Sequence, residues 1–280
     1  IGGAISQDST MVAVSNYEPG GIKIFSADDL SLIADIPAEF APKMFSKTVG
    51  IVDAPLNQFV YSLFEGGEIW SVQIQKNQAP LIRKFTNVGK EPYDGLVSPD
   101  GRYYLAGLFG ENGIAMIDLW HPEKASKKIM QNYGKEDPRL PVYKMPHFEG
   151  WSMCGQFAYI PGVGHHEIIV VDKANWQELK RIPTYGQPVF AMADPQCRQL
   201  LINFAMPEND SLQVFDLDKM EMSKTMKLGP GVLHMEFTPK GDQVWISIRD
   251  QNEIQIFKTD DWTLIKKLPA LKPSVIFFSN

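Results

Sequence analysis

A repeat of about 43 residues runs along this chain and limits the folds that are available to it. Its clearest marker is a polar turn that follows a short apolar strand. The turn recurs as SQDST (6–10), APLNQ (54–58), SPDGR (98–102), SMCGQ (152–156), DPQCR (194–198) and TPKGD (238–242). A strand rich in β-branched residues follows each turn, as GIKIF (21–25), EIWSV (68–72), GIAMID (113–118), EIIVVD (167–172), SLQVFD (211–216) and EIQIFK (253–258).

Each repeat reads as four short strands, and four-stranded repeats of this length are typical of β-propellers. Apolar and polar residues alternate in the third and fourth strands, as in half-buried antiparallel strands. Six units are complete, and PSVIFF (273–278) reads as the first strand of another. We therefore predict an all-β chain with a single β-propeller domain over 1–280, of six blades plus one strand. Because closed rings remove their edge strands, we expect further N-terminal blades upstream of Ile1.

Composition excludes some functions. The net charge is −6 and the 27 Lys and Arg residues are scattered, so we expect no nucleic-acid partner. The sequence contains no run of 18 apolar residues, so it predicts no membrane-spanning helix. Cys154 and Cys197 have no spacing that indicates a metal cluster, and we interpret them as two free, half-buried thiols.

Propeller geometry sorts the candidate functional residues by face. The start of each innermost strand and the loop between the second and third strands open onto one face, here called the upper face. Four of the five histidines are assigned to it, His147, His165, His166 and His234, whereas His121 is assigned to the opposite face. The same face receives several other polar and aromatic candidates: Asp53, Asp94, Lys144, Arg249, Tyr17, Phe64, Tyr93, Phe109, Phe190 and Phe204.

Each of these residues also has a purely structural interpretation. His147 and His234 could be satisfied by backbone groups, and Arg249 could be a solvated loop residue. Asp53 could cap the turn at 54–57, and Asp94 could hold a backbone amide. The coincidence of residue types on one face, rather than any single residue, indicates a concave and mostly apolar site for a bulky planar ligand.

Several stretches resemble the NirF family of haem d1 biosynthesis, which is itself similar to the d1 domain of cytochrome cd1 nitrite reductase. They are IGGAIS, VAVSNYEPGG, EPYDGLVSPDGRYYLAGLFGENG, IDLWHPE, LPVYKMPHFEGW, YGQPVF and VLHMEFTPKGDQVWIS, and the resemblance runs from Ile1 to Phe278. It implies an eight-bladed propeller in the periplasm, anchored to the membrane through residues upstream of Ile1. It also implies other haem d1 biosynthesis proteins and nitrite reductase as partners, and leaves a homodimer open.

The resemblance implies that the upper face holds haem d1 or its precursor dihydro-haem d1, or an earlier precursor, and that the protein modifies it. The ring would lie against the aromatic residues, including Tyr93 and Phe190, with Lys144 or Arg249 pairing its carboxylates. His147 or His234 would ligate the iron. Asp53 or Asp94 would accept a proton, so that Asp53 and His147 are the catalytic candidates.

Two departures from the family pattern bear on this site. Val275 replaces the glycine of PSGIFF, and a histidine that is a candidate iron ligand in the family would lie upstream of Ile1. A carrier that delivers the cofactor without reacting remains the alternative. A propeller lactonase is the least favoured function. Its metal ion would be held by several acidic and Asn side chains, and the residues at the strand starts include only Asp53 and Asp94.

Overall fold

The computed structural model describes residues 2–75, 78–133, 150–162, 164–276 and 278. Within these residues, 26 β-strands form six four-stranded antiparallel sheets and one two-stranded hairpin. Each four-stranded sheet is a simple meander, in which every strand pairs with the strands before and after it in the chain. The six complete units predicted from the repeat are therefore confirmed.

The residues Ile1–Phe148 form one compact unit, with three four-stranded sheets and the hairpin. The first sheet contains β1 (Gly3–Ile5), β2 (Met11–Ser15), β3 (Ile22–Ser26) and β4 (Leu32–Ile36), and the hairpin contains β5 (Glu39–Ala41) and β6 (Met44–Phe45). The second sheet contains β7 (Thr48–Ala54), β8 (Gln58–Leu63), β9 (Glu68–Gln73) and β10 (Leu81–Phe85). The third contains β11 (Pro92–Val97), β12 (Tyr103–Leu108), β13 (Ile114–Asp118) and β14 (Lys127–Ile129).

The residues Glu149–Asn280 form a second compact unit with three four-stranded sheets. The fourth sheet contains β15 (Ser152–Cys154), β16 (Phe157–Gly162), β17 (Glu167–Asp172) and β18 (Gln177–Pro183). The fifth contains β19 (Pro188–Ala193), β20 (Gln199–Phe204), β21 (Ser211–Asp216) and β22 (Glu221–Lys227). The sixth contains β23 (Val232–Phe237), β24 (Gln243–Ile248), β25 (Glu253–Lys258) and β26 (Leu264–Pro269), with a 3-10 turn at Arg249–Gln251.

The hydrophobic cores lie between consecutive sheets of each unit. In the first unit, Met11 and Ile24 of the first sheet pack in one cluster with Tyr61 and Trp70 of the second. From the second to the fifth sheet, the second and third strands are buried on both faces, whereas the fourth strands, such as β10, are mostly exposed. This gradient explains why the second and third strands are almost continuously apolar and the fourth strands are polar.

A close backbone approach joins the second and third sheets. Gly50, at a φ of +65°, lies against the backbone of residues 93–95, and the Tyr104 ring lies over Gly95. The Tyr104 hydroxyl donates a hydrogen bond to the Gly50 carbonyl at 3.1 Å and lies 3.2 Å from Ser62 Oγ. Neither glycine position has room for a side chain, so these two residues set the distance between the sheets.

Gly95→Ala should therefore destabilise the protein by about 2 kcal/mol, because the added methyl group would overlap the buried Tyr104 ring. Urea unfolding measures this change. Gly3→Ala is the matched control, since a Cβ there would make only ordinary contacts. Equal stability of the two variants would contradict this account of the sheet contact.

Cys154 and Cys197 form a disulfide, so the interpretation of two free thiols was wrong. Their Cα atoms are 5.6 Å apart, within the range that a disulfide spans. Cys154 ends β15 and Cys197 lies in the turn between β19 and β20, so the bond joins the fourth and fifth sheets. The sequence separation of 43 residues is one repeat, and the repeat itself brings the two turns together.

Replacing both cysteines by alanine should lower the free energy of unfolding. The bond closes a loop of 43 residues, for which the loss of chain entropy in the unfolded state corresponds to about 4 kcal/mol. Urea unfolding of the Cys154→Ala, Cys197→Ala variant, compared with the oxidised protein, measures the difference. An unchanged midpoint would show that the bond does not constrain the unfolded chain.

The predicted first strand of a further unit, at 273–278, is not formed, since residues 273–276 and 278 have no regular secondary structure. This segment nevertheless lies against the sixth sheet. Phe278 makes an edge-to-face contact with Trp245 at 5.5 Å between ring centroids, and the Ile276 amide contacts His234. No helix in the described ranges has the length and apolar character that a membrane crossing requires.

Candidate functional site

Three half-buried rings meet at the upper end of the second and third sheets, the end at which their first strands begin. We call Phe64, Tyr93 and Phe109 the aromatic cluster. The ring centroids are 5.6 to 6.1 Å apart, and the rings are tilted or edge-on to one another. Phe64 and Phe109 each follow a second strand and Tyr93 is the second residue of β11, which is why the meander brings them to one end. The prediction that these aromatics share a face is confirmed within this unit.

Lys47 lies beside the aromatic cluster and was missed by the sequence reasoning. Its Nζ is 5.8 Å from the ring centroids of both Tyr17 and Phe64, within the range of cation–π attraction. It also forms an ion pair with Glu65 at 2.7 Å, and the hydrogen bond that Lys47 donates to Glu65 raises the pKa of Lys47. The unit therefore presents a fixed positive charge next to apolar rings.

The two aspartates predicted for the upper face lie at opposite ends of their sheets. Asp94 follows Tyr93 at the upper end, where the register shifts between Pro92 and Gly95. Burial, and then the charge of Asp94, raises the pKa of the Tyr93 phenol. Asp53 pairs with Phe59 and directly precedes the turn at 54–58, so its assignment to the upper face was wrong. β7 starts at Thr48, five residues earlier than the position that the sequence reasoning took as its start.

Phe190 and His234 occupy equivalent positions in the second unit, two residues after the first residue of β19 and β23. Their rings make an edge-to-face contact with centroids 5.9 Å apart. Side chains of the second strands hold the two backbones. Asn203 Oδ1 accepts from the Phe190 amide, and Ser247 Oγ accepts from the His234 amide, both at 2.9 Å.

The environment of His234 favours a neutral imidazole. The side chain is only 7% exposed, and burial lowers its pKa. Nδ1 accepts a hydrogen bond from the Ile276 amide at 3.3 Å, so the neutral ring carries its proton on Nε2. In this state His234 is a hydrogen-bond donor, and iron ligation through Nε2 would require the bond to Ile276 to be given up.

The other predicted residues are more dispersed. Arg249 is exposed in the 3-10 turn after β24. His165 and His166 lie in the loop between β16 and β17, and exposed His121 lies between β13 and β14, at the end of its sheet opposite to the aromatic cluster. Lys144 and His147 lie outside the described residues. Among the residues that are described, no group of three or more His, Cys, Asp or Glu side chains could hold a metal ion.

Comparison with known proteins identifies the family. The model of the family described as "Cytochrome D1 heme domain" matches residues 1–280. The protein NirF of Pseudomonas aeruginosa is 51% identical over 282 residues, which cover 100% of this chain and 72% of that protein. NirF of Stutzerimonas stutzeri is 49% identical with the same coverage.

A solved structure confirms the fold. The dihydro-haem d1 dehydrogenase NirN in complex with DHE superimposes with a TM-score of 0.83 at 25% identity, over 98% of this chain and 58% of that one. The predictions of a β-propeller and of a resemblance to NirF are thereby confirmed. This chain belongs to the NirF group of the cytochrome d1 haem domain family.

Proposed function

We propose that this protein binds a late d1-haem precursor, dihydro-haem d1 or an earlier compound, at the upper ends of its sheets, and acts on it in haem d1 biosynthesis. The match of the whole chain to the d1 haem domain family carries this proposal. The local chemistry supports it. A tetrapyrrole is an apolar plate with carboxylate side chains, and it needs apolar surface beside a few polar groups.

The aromatic cluster fits the ring of such a ligand. Its three side chains are half-buried, so they are held in place and still offer ring edges and faces to a planar ligand. Lys47 supplies a positive charge beside them, and the ligand's carboxylates could share it with Glu65. Arg249, and Lys144 outside the described residues, remain candidates for the other carboxylates because of their charge.

The polar groups could then orient the ligand and handle protons. Neutral His234 would donate a hydrogen bond from Nε2, and Asp94 replaces Asp53 as the candidate proton acceptor because it lies at the upper end. His147 remains a candidate iron ligand. The d1-type haem is the substrate, and its conjugated ring and iron supply the redox chemistry.

A carrier that releases the precursor unchanged differs from an enzyme only in turnover. Incubation of purified protein with dihydro-haem d1, followed by chromatographic analysis of the tetrapyrrole, separates the two. A new product establishes catalysis, and quantitative recovery of the starting compound establishes the carrier. In both cases the partners would be other haem d1 biosynthesis proteins and nitrite reductase.

We further propose that the protein works in the periplasm. The disulfide between Cys154 and Cys197 supports this proposal, because disulfides persist in oxidising compartments and are rare in the cytosol. Fractionation of cells that carry the full-length protein tests it directly.

Phe109→Ala should weaken the binding of dihydro-haem d1 by about tenfold, since it removes one ring from the aromatic cluster and loosens the other two. Absorbance titration measures the dissociation constant. Trp120→Ala is the matched control, because this ring is 57% exposed and lies in the loop between β13 and β14 at the opposite end of the third sheet. Equal losses in both variants, or none in Phe109→Ala, would remove the aromatic cluster from the site.

His234→Gln should leave the visible spectrum of the bound haem nearly unchanged, because glutamine keeps a side-chain donor but is a poor iron ligand. His234→Leu should weaken the binding of dihydro-haem d1, because leucine has no hydrogen-bond donor to replace the imidazole N–H. A large spectral shift in His234→Gln would show instead that this histidine ligates the iron.

A further inference from the structure

The upper end of the first unit is mostly acidic, although the proposed ligand carries carboxylates. It is formed by the loops between second and third strands and by the residues that precede and begin the first strands of the second and third sheets. The carboxylates in these segments are Glu18, Glu65, Glu91, Asp94 and Glu111, whereas the lysines are Lys47 and Lys90. A ligand over the aromatic cluster therefore meets few cations, which limits the number of carboxylates that it can bring to this end.

Lys47 is held in a fixed position among these carboxylates. Its Nζ donates a hydrogen bond to Glu65 Oε1 at 2.7 Å, and its backbone amide donates to Glu65 Oε2, also at 2.7 Å. The Lys47 side chain is 31% exposed, so its ammonium group is still open to a ligand. Because an ammonium group has three N–H donors, it can bind a ligand carboxylate without releasing Glu65.

The buried Ser46 side chain makes Glu65 part of the same rigid segment. Ser46 Oγ accepts hydrogen bonds from the amides of Glu65 and Gly66 at 3.0 and 3.2 Å, and it donates to Glu65 Oε2 at 3.1 Å. The Phe64 amide donates to the Lys47 carbonyl at 3.0 Å. The Glu65 carboxylate is thus tied to the backbone that carries Lys47, and it stays in place when a ligand approaches.

The fold does not require this ion pair. In four sheets the residue after the second strand donates its amide to the residue before the first strand, and these pairs are Phe64–Lys47, Phe109–Glu91, Ala205–Gln187 and Arg249–Gly231. At the position of Glu65, the third, fifth and sixth sheets have Gly110, Met206 and Asp250. These three sheets form the same backbone contact without a Lys–Glu pair, so the pair in the second sheet serves something other than sheet formation.

Glu18 adds a further negative charge near Lys47. The raised pKa of Lys47 is due mainly to the hydrogen bond and the charge of Glu65, and the charges of Tyr17 and Glu18 contribute to it as well. Gly20, at a φ of +97°, lies directly against the Ser46 carbonyl, which brings the loop with Tyr17 and Glu18 next to this segment. A ligand group beside Lys47 therefore also meets the charge of Glu18.

We propose that Lys47 and Glu65 together select ligands by the number of carboxylates at one edge of the ring. Lys47 binds one carboxylate of the tetrapyrrole, and Glu65 repels a second carboxylate on the adjacent substituent. That second group would lose water without gaining a cation, because the ion pair has no net charge. The preferred substrate class is a tetrapyrrole that presents a single carboxylate to the first unit. This inference rests on the proposed binding of a d1-type haem over the aromatic cluster.

Sirohaem is a suitable probe, because it is an iron hydroporphyrin with carboxylates on adjacent substituents of each pyrrole ring, whereas dihydro-haem d1 lacks such adjacent pairs. Absorbance titrations with the two compounds give the ratio of their dissociation constants. The wild-type protein should bind sirohaem more weakly. Glu65→Gln should strengthen sirohaem binding by about fivefold, the effect of one charge at about 4 Å in water, and should change the binding of dihydro-haem d1 less.

Three further measurements separate electrostatic selection from a structural role. Glu65→Asp keeps the charge and should keep the selectivity. Asp35→Asn is the matched charge control, because Asp35 forms an exposed ion pair with Lys23 on the outer strands of the first sheet, and it should leave the ratio unchanged. High salt should reduce the difference between Glu65→Gln and the wild-type protein, since exposed charges are screened.

An unchanged ratio in Glu65→Gln would overturn the proposal, and so would an equal change of the ratio in Asp35→Asn. Lys47→Met should weaken the binding of dihydro-haem d1 by about fivefold, and undiminished binding would remove Lys47 from the site. Failure of the proposed function looks different, because the wild-type protein would then bind neither tetrapyrrole saturably.

Discussion

The packing of one four-stranded sheet against the next is the constraint on which the rest of each unit depends. From the second to the fifth sheet, the second and third strands are buried on both faces, so nearly all of their side chains lie in the hydrophobic cores. Glycines at 50 and 95 set the sheet distance in one unit, and Asn203 bonds the fifth sheet to the sixth in the other. Polar functional residues are therefore confined mainly to strand ends and loops, where the sequence can vary without disrupting a hydrophobic core.

Burial also sets the chemistry at those ends. It keeps His234 neutral and raises the pKa of the Tyr93 phenol, so both residues are hydrogen-bonding groups without charge at neutral pH. The positive charge near the aromatic cluster comes from Lys47, which the ion pair with Glu65 holds in one place. Within the first unit, the aromatic cluster, the uncharged Tyr93 phenol and the positioned Lys47 cation are suited to a planar ligand that carries carboxylates.

The sequence predicted the repeat, the strand order and the end of the sheet at which most candidates lie, because turn residues and alternating burial recur with every unit. Asp53 was misplaced because β7 is seven residues long and this carboxylate lies near its end. The disulfide was missed because the spacing of the two cysteines was compared with metal-site patterns and not with the repeat length, although a separation of one repeat could have indicated it. Lys47 follows the β5–β6 hairpin, an insertion that has no counterpart in the repeat pattern. The sequence therefore could not show that Lys47 lies beside the rings of Tyr17 and Phe64.

We propose that this protein selects d1-type haems over haem b. The most direct test of this selectivity is an absorbance titration of the protein with dihydro-haem d1 and, in parallel, with haem b, followed by analysis of the bound tetrapyrrole. We expect saturable binding of dihydro-haem d1 at one site per chain and much weaker binding of haem b, because the polar groups around the rings suit the additional oxygen-bearing substituents of a d1-type ring. Equal affinity for the two haems, or no saturable binding of dihydro-haem d1, would contradict it.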